Sequence, residues 1–175
     1  MKTGTQHYND FVIDTLTNSI RNRVSGDSLM TEVLLVAKPD LRQITRKNGW
    51  LFNWKSEFNS LEKEVYKLTI LHNVHIIQGL ASISFKVDHV FLNLIESAVF
   101  NRGENKMYEG VPGNLVAFAC RLSFQRGFEG FVAFHAKTQL IKHYEKTLNA
   151  VHFGNQLMVI DTNAASELVN KYFKS

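Results

Sequence analysis

The sequence predicts an α/β protein in which a mixed sheet carries helices on its faces. Three observations predict it. Apolar residues recur at helical spacing near the start of the chain, β-rich segments separated by short polar turns fill residues 50–98, and strand and helix patterns alternate after that. Short connections favour antiparallel neighbours, so the expected order is N-terminal helices, antiparallel strands, then helix, strand, helix and strand.

A first helix is predicted from four apolar residues near one helical face: Phe11, Ile13, Leu16 and Ile20. Asp10 suits its N-cap, and Gly26 suits its end. A second, shorter helix is expected over residues 39–44, because Pro39 fits a first helical position. Gly49 then ends it.

Four segments read as strands: residues 50–54, 65–70, 76–85 and 89–98. In the first, Trp50, Phe52 and Trp54 alternate on one side, which is typical of buried aromatic residues in a strand. In the last, strand alternation places Glu96 on the face of Leu92 and Leu94. A carboxylate in an apolar strand is costly unless it is paired or functional.

The segment YEGVPGNL, residues 108–115, predicts a turn that opens a helix. Gly110 and Gly113 let the main chain approach a ligand closely, and Pro112 suits a first helical turn. From Asn114 the spacing is helical, with Leu115 on the apolar face. The N–H groups and dipole of a first helical turn can hold a diphosphate. An ordinary loop and helix start is the alternative.

The elements after this turn continue the pattern. Gly127 suits a helix end, residues 130–134 suit a short buried strand, and residues 138–147 suit a helix that carries Tyr144.

Length and composition favour a single domain over residues 1–175. The chain is 45% hydrophobic, which suffices for a sizeable core. A net charge of +4 comes from scattered Lys and Arg, so nucleic-acid binding is not expected. The sequence also predicts no signal peptide or membrane span, so we expect a cytoplasmic protein without a membrane partner.

Neither a nucleophilic cysteine nor a histidine metal site is predicted. Cys120, the single cysteine, lies in an apolar helical run typical of a small buried hydrophobe rather than a nucleophile. Seven histidines lack paired metal-binding spacing, so we expect no catalytic metal.

The glycine turn and the HYEK segment together resemble the GNAT superfamily of acyl-CoA-dependent N-acyltransferases. Gly110 matches the first glycine of that family's cofactor turn, Val111 the apolar residue after it and Leu115 a helix leucine. Residues 143–153 resemble the tyrosine segment and its tail. The resemblance implies a GNAT-like fold covering the whole chain.

The chain departs from the family pattern at four positions. Met107 replaces a basic or amide residue, Pro112 the second glycine, Lys137 an asparagine and Asn149 a glycine. Arg102 or Lys106, just before the turn, can supply positive charge instead.

The resemblance implies that acetyl-CoA, or another acyl-CoA, lies where two neighbouring strands splay, and that an amine attacks it directly. Backbone N–H groups around residues 95–97 would face the acyl carbonyl. The implied cofactor-binding residues are Ile95, Ser97, Gly110, Val111, Gly113, Asn114, Leu115 and Lys137. The acceptor is the amine of a small molecule or a protein, with the region between Arg21 and Trp54 as a candidate acceptor pocket wall; an oligomer is left open.

Tyr144 aligns with the family's general acid, and a phenol is protonated at neutral pH. Its alternative is a packing role. Glu96 is the candidate general base, with a structural ion pair as the alternative. His135 and His143 are further titratable candidates, or structural residues. The expected function is N-acyl transfer; a catalytically silent acyl-CoA-binding module and an interaction protein that binds neither cofactor nor acceptor are the alternatives.

Overall fold

The computed structural model describes residues 7–16 and 19–173. In this part of the chain the helices are α1 Trp54–Asn59, α2 Val111–Gln125, α3 Ile141–Leu148 and α4 Thr162–Tyr172. The strands are β1 Ile20–Asn22, β2 Ser28–Leu29, β3 Thr31–Leu35, β4 Glu64–Ile70, β5 Gly79–Phe85, β6 Val90–Ser97, β7 Tyr108–Glu109, β8 Val132–His135, β9 Val151–His152 and β10 Leu157–Ile160. No helix among the described residues is long and apolar enough to cross a membrane.

The main sheet has the order β3-β4-β5-β6-β8-β10-β9 across the described residues, and β2-β1-β7 forms a smaller sheet. Neighbours in the main sheet are antiparallel except β6 and β8, which are parallel and joined through α2. The predicted mixed α/β class is therefore confirmed. The parallel pair requires a long crossover, and α2 supplies it.

Strands β6 and β8 pair over only a short distance in the described structure. Val90 pairs with Val132 and Phe91 with Ala133, and the recorded pairing goes no further. From there the two strands separate toward their C-terminal ends. We call the resulting space the cleft.

A β-bulge in β6 lies beside the cleft. Ser82 of β5 pairs with Leu94, whereas the adjacent Ile83 pairs with Leu92, so Asn93 is the extra residue. As a result Leu92 packs in one hydrophobic cluster and Leu94 in another. The prediction that Leu92, Leu94 and Glu96 share a face is wrong for Leu92, because regular alternation does not allow for the bulge, whereas Leu94 and Glu96 both lie on the side of Trp54.

Two hydrophobic clusters cover the two faces of the sheet. The larger joins strands β4, β5, β6, β8 and β10 to helices α2, α3 and α4. The smaller lies under residues 36–59 and includes Trp50, Trp54, Leu80 and Leu94. The two clusters hold β5 and β6 from both sides.

The predicted helix over residues 11–26 is wrong. In the described part, residues 10–16 are irregular and β1 starts at Ile20. Phe11 and Ile13 are both buried in the larger cluster. Apolar residues two apart suit an extended chain as well as a helix, and here contacts with the cleft decide the conformation.

The strand predicted over residues 50–54 is also wrong. The Asn53 side chain accepts a hydrogen bond from the Ser56 N–H and caps α1, so Trp54 begins a helix. The helix predicted over residues 39–44 is a short 3₁₀ turn, Lys38–Arg42. The strands predicted near β4, β5, β6 and β8 and the helices predicted near α2 and α3 are confirmed.

Candidate functional site

The cleft is filled by the chain's own residues 9–15, which we call the strap. The Asn9 N–H donates to the carbonyl oxygen of His135 (2.7 Å), and the Lys137 N–H donates to the carbonyl oxygen of Asn9 (3.0 Å). Asn9 thus forms a parallel bridge with Ala136, just beyond β8. The strap takes the position beside β8 that β6 leaves vacant.

The Asn9 side chain spans the cleft. Its amide nitrogen lies 3.0 Å from the His135 carbonyl oxygen and 3.5 Å from those of Leu92 and Asn93 at the bulge. Carbonyl groups exposed by the separation of the strands therefore face a hydrogen-bond donor, which a buried backbone group requires.

Tyr144 lies on the wall formed by α3. Its ring packs against those of Phe11 and Phe134, and its hydroxyl donates to the Phe11 carbonyl oxygen (2.6 Å). The side chain is fully buried. Burial, with the negative charge of Asp10 as a smaller cause, raises the pKa of Tyr144 above its usual value. The phenol is therefore protonated, and its proton is donated to a carbonyl oxygen of the strap.

His143 also contacts the strap. Its Nε2 accepts a hydrogen bond from the Ile13 N–H (2.9 Å), which requires an unprotonated ring nitrogen. Burial, together with the charge of Lys146, lowers the pKa of His143. His143 and Tyr144, which are adjacent in α3, thus hold successive parts of the strap.

Asp14 occupies the N-terminus of α2. Its Oδ1 accepts from the Gly110 N–H (3.1 Å), and its Oδ2 pairs with the Lys106 Nζ (2.9 Å). Gly110 has φ +94°, a conformation that favours glycine. A carboxylate thus binds where the sequence predicts an anion site, and Lys106 supplies the positive charge expected near the turn.

Gly113 is covered by α4. A Cβ at this position would lie 2.9 Å from the Cζ of Tyr172 and would overlap its hydroxyl, which donates to the Thr15 carbonyl oxygen (3.1 Å). The missing side chain thus makes room for Tyr172. The room beside Gly113 was predicted to hold a ligand, because the sequence pattern did not reveal α4 and its Tyr172.

The other predicted cofactor-binding residues have different surroundings. Val111, Asn114 and Leu115 are buried, and the Asn114 side chain donates to the Gly110 carbonyl oxygen (3.0 Å). The Lys137 Nζ pairs with Asp10 of the strap at 2.8 Å on the surface. Ile95 and Ser97 line a cavity described below.

Glu96 is held by four donors and is only 5% exposed. Its carboxylate accepts from the indole Nε1 of Trp54 (2.7 Å), and from the backbone N–H groups of Leu51 (2.7 Å) and Phe52 (3.3 Å). The Arg102 Nη1 lies 3.6 Å away. These contacts explain how a carboxylate is tolerated in β6, and they fix residues 51–54 against the strand.

A cavity of about 310 Å³ lies between the strap and the end of β6. Its lining combines strap residues with the Glu96 region and the start of α2, as follows: Asp10, Phe11, Val12, Asp14, Leu51, Phe52, Ile95, Glu96, Ser97, Asn101, Arg102, Gly103, Lys106 and Pro112. The cavity therefore joins the surroundings of Glu96 to the predicted anion site. Glu96 and Asp14 lie on its wall.

His135 and Cys120 lie away from this cavity. The His135 ring packs against Tyr8 and Phe91 and lines a larger apolar groove of about 880 Å³ on the sheet; burial lowers its pKa. Cys120 is buried in α2, and burial raises the pKa of its thiol. Within residues 7–16 and 19–173 no group of three or more His, Cys, Asp or Glu side chains is placed to hold a metal ion.

The comparisons with known proteins find similarity in fold and no similarity in sequence family. No protein-family model matches the sequence, and no curated protein matches it. A solved structure described as a KacTA–DNA complex has a TM-score of 0.54 and 14% identity, covering 79% of this chain and 98% of that one. AtaTR bound with acetyl-CoA has a TM-score of 0.50 and 12% identity, covering 79% and 98%. A Tyr-to-Phe mutant of the AtaT toxin, bound to the C-terminus of the antitoxin AtaR, has a TM-score of 0.53 and 14% identity, covering 85% and 99%.

The fold of the chain is GNAT-like, as the resemblance of the glycine turn and the tyrosine segment predicted. At 12% to 14% identity the similarity concerns the fold. The chemistry must be argued from this chain's own residues.

Proposed function

We propose that this protein is an acyl-CoA-dependent N-acyltransferase whose acyl donor, acetyl-CoA in the simplest case, binds in the cleft between β6 and β8. One observation carries the proposal. The parallel pair opens beside the N-terminus of α2, where Gly110 already binds a carboxylate, and the buried phenol of Tyr144 lines the same opening. The acetyl-CoA in the AtaTR structure supports the choice of donor.

The residues present fit such a donor at three places. The Gly110 N–H already donates to a carboxylate, with Lys106 beside it. The His135 carbonyl and the Lys137 N–H form an edge that can pair with an amide-containing chain. The cavity beside Ile95 and Ser97 leaves room for the reacting end. Gly113 does not fit, because Tyr172 covers it, so we limit the proposed diphosphate contacts to Gly110 and Val111.

The bound donor would supply an activated acyl group that an amine attacks directly. Tyr144 remains protonated because burial raises its pKa, so its hydroxyl can give a proton to a leaving thiolate once the Phe11 carbonyl no longer accepts from it. Backbone N–H groups near Ile95 and Ser97 are proposed to face the acyl oxygen. Glu96 as general base stays a prediction, and its four donors make it foremost a residue that positions the 51–54 segment.

The direct test is to incubate the purified protein with acetyl-CoA and a panel of small amines and amine-bearing peptides, and to measure the release of free thiol. We expect release above the rate without enzyme. Tyr144→Phe should lower turnover by roughly 10²-fold or more without loss of acetyl-CoA affinity, because it removes the acid and keeps the ring. A loss of affinity with unchanged turnover would show that Tyr144 packs rather than reacts.

A catalytically silent acyl-CoA-binding module is the second candidate. It is favoured by a specific observation: Pro112 lacks an N–H, and the Asn114 N–H bonds to the Gly110 carbonyl oxygen, so the first turn of α2 offers few free donors. If calorimetry detects acetyl-CoA binding and thiol release never exceeds the background rate with any amine, this second function is correct.

A further inference from the structure

We infer that the strap, residues 9–15, is a built-in competitor of the acyl donor: it closes the cleft by making the contacts that the donor requires, and the donor binds only when the strap leaves. This inference rests on the proposed function and adds its regulation. Three sets of contacts support it, one each for an amide chain, an anion and the acid of the reaction.

The first contacts are those of an amide chain. Asn9 offers one N–H to His135 and accepts one from Lys137, as a peptide does when it extends a sheet. The pantetheine arm of coenzyme A also contains secondary amides, which have the same donor and acceptor groups. The arm and the strap therefore compete for the same hydrogen-bonding edge of β8.

The second contacts are those of an anion. The Asp14 carboxylate takes the Gly110 N–H and the Lys106 ammonium together, and Lys106 and Asp14 are both largely buried, with side chains 20% and 14% exposed. A diphosphate needs the same N–H and the same cation at the N-terminus of α2. Because two anions cannot share these donors, and repel each other at this distance, Asp14 must leave before a diphosphate binds.

The third contact concerns the proposed acid. The Tyr144 hydroxyl donates to the Phe11 carbonyl oxygen at 2.6 Å, and the Phe11 ring packs against both Tyr144 and Phe134. A hydroxyl has one proton to donate. While the strap is in place, that proton is not available to a leaving group, so the closed protein is inactive for two reasons: the donor site is filled and the acid is engaged.

Closure lowers the apparent affinity for the donor by the fraction of molecules that are open. Weakening the strap therefore tightens binding of acetyl-CoA without any new contact to it. This is the reverse of what a purely structural segment does, because damage to a structural wall weakens binding.

The first experiment compares the full-length protein with Asp14→Asn and with the control Asp27→Asn. The control removes the same charge from an exposed turn between β1 and β2. We expect Asp14→Asn to bind acetyl-CoA roughly five- to tenfold more tightly by calorimetry and the control to match the unmodified protein. Hydrogen exchange supplies a second readout: acetyl-CoA should speed exchange at the Asn9 and Ile13 amides and slow it at Gly110.

The second experiment locks the strap. Asp10 and Lys137 directly follow the bridged residues Asn9 and Ala136 and form an ion pair on the surface, so Asp10→Cys with Lys137→Cys is designed to form a disulfide across adjacent backbones. Cys120 is buried and does not interfere. We expect the oxidised form to bind acetyl-CoA at least tenfold more weakly than the same protein after reduction. The reduced form is the matched control for the loss of Lys137.

Two results would overturn the inference, and they differ. If the oxidised and reduced forms bind acetyl-CoA equally, the strap does not compete, while acyl transfer at the cleft edge or elsewhere still stands. If Asp14→Asn shows fast exchange at Asn9, which means that the cleft is open, and still binds no acetyl-CoA, then the proposed donor site itself is wrong and the inference falls with it.

Discussion

The two ends of the β6–β8 pair differ in how they are held together. At the closed end, Val90 and Phe91 pair with Val132 and Ala133, and the Val90 N–H bonds to the Phe131 carbonyl oxygen at 3.0 Å. At the open end, Asn9, more than 80 residues away from β6 in the chain, supplies the contacts. The closed end depends on the packing of neighbouring strands, and the open end depends on a segment from elsewhere in the chain.

This difference teaches which contacts can be exchanged. Burial of Val90, Leu92, Val132 and Phe134 stabilises the closed end, and nothing small replaces packed hydrocarbon. The open end is held by hydrogen bonds and ion pairs such as Lys106–Asp14, in addition to the buried side chains of Phe11 and Ile13. Another molecule with amides and a negative charge can take over the polar contacts, which is why the donor is proposed to bind at the open end.

The largest expected loss of stability follows from removing a side chain that packs against both ends of the β6–β8 pair. Phe134 in β8 is fully buried and contacts the rings of Phe11 and Tyr144. Phe134→Ala should lower the free energy of unfolding by about 3–5 kcal/mol in a urea titration, because it leaves a cavity. Phe153→Ala is the matched control: that ring is 68% exposed, and we expect a change within about 0.5 kcal/mol. Similar losses in the two variants would contradict the proposed packing.

A smaller loss of stability is expected when Gly113, in the first turn of α2, gains a side chain. Gly113→Ala places a methyl group against the Tyr172 ring, so we expect a loss of about 1–3 kcal/mol in the unfolding free energy without any ligand. In a double-mutant cycle with Tyr172→Ala, the added methyl should cost much less, because the ring is gone. Additive effects would mean that Gly113 is not required for this contact.

The smallest expected effect is a pH dependence of the His143–Ile13 hydrogen bond at the open end. His143 must be unprotonated to accept from Ile13, and burial and Lys146 lower the pKa of His143 in the folded protein. A lowered histidine pKa gives a contribution that is present above the reference value of about 6.5 and is lost as pH falls below it. The other charged groups that hold the strap are Lys106, which pairs with Asp14, and Lys137, which pairs with Asp10.

The measurement is an NMR titration of the Ile13 amide between about pH 7.5 and 5, with the exchange-protected amides of the closed end as the internal comparison. We expect the Ile13 signal to report opening at acid pH while Phe91 and Val132 do not change. His143→Gln is the control, since its amide oxygen can accept the bond and does not titrate. A His143→Gln protein with the same acid transition would assign the opening to another group.

Much of the sheet was predictable because its signal is local. The strands around Val65, Ile83 and Phe134 are short runs of apolar and β-branched residues, and Gly110 and Gly127 mark the ends of α2. The bulge at Asn93 was not predictable from alternation. Its effect, moving Leu94 to the opposite face from Leu92, depends on pairing with Ser82 and Ile83 in β5.

The candidate site was predicted in part. Glycine turn and tyrosine were identified from the sequence, and both border the cleft. Asn9, Asp14 and Tyr172 were missed. One signal was available in the sequence. The predicted anion site requires Lys or Arg, and the acidic residues Asp10 and Asp14 can form ion pairs with such residues. Their partners, Lys137 and Lys106, lie 127 and 92 positions away.

By itself the sequence determined the α/β class, the order of the central strands and helices, and the glycine turn before α2, because spacing and backbone freedom are properties of neighbouring residues. Only the tertiary structure decided that Phe11 and Ile13 belong to an extended strap rather than a helix. A segment with apolar residues at those positions suits both conformations when it is isolated. In the folded protein Asn9 pairs with the backbone at the end of β8, and Asp14 accepts from the Gly110 N–H at the start of α2. These contacts stabilise the extended conformation.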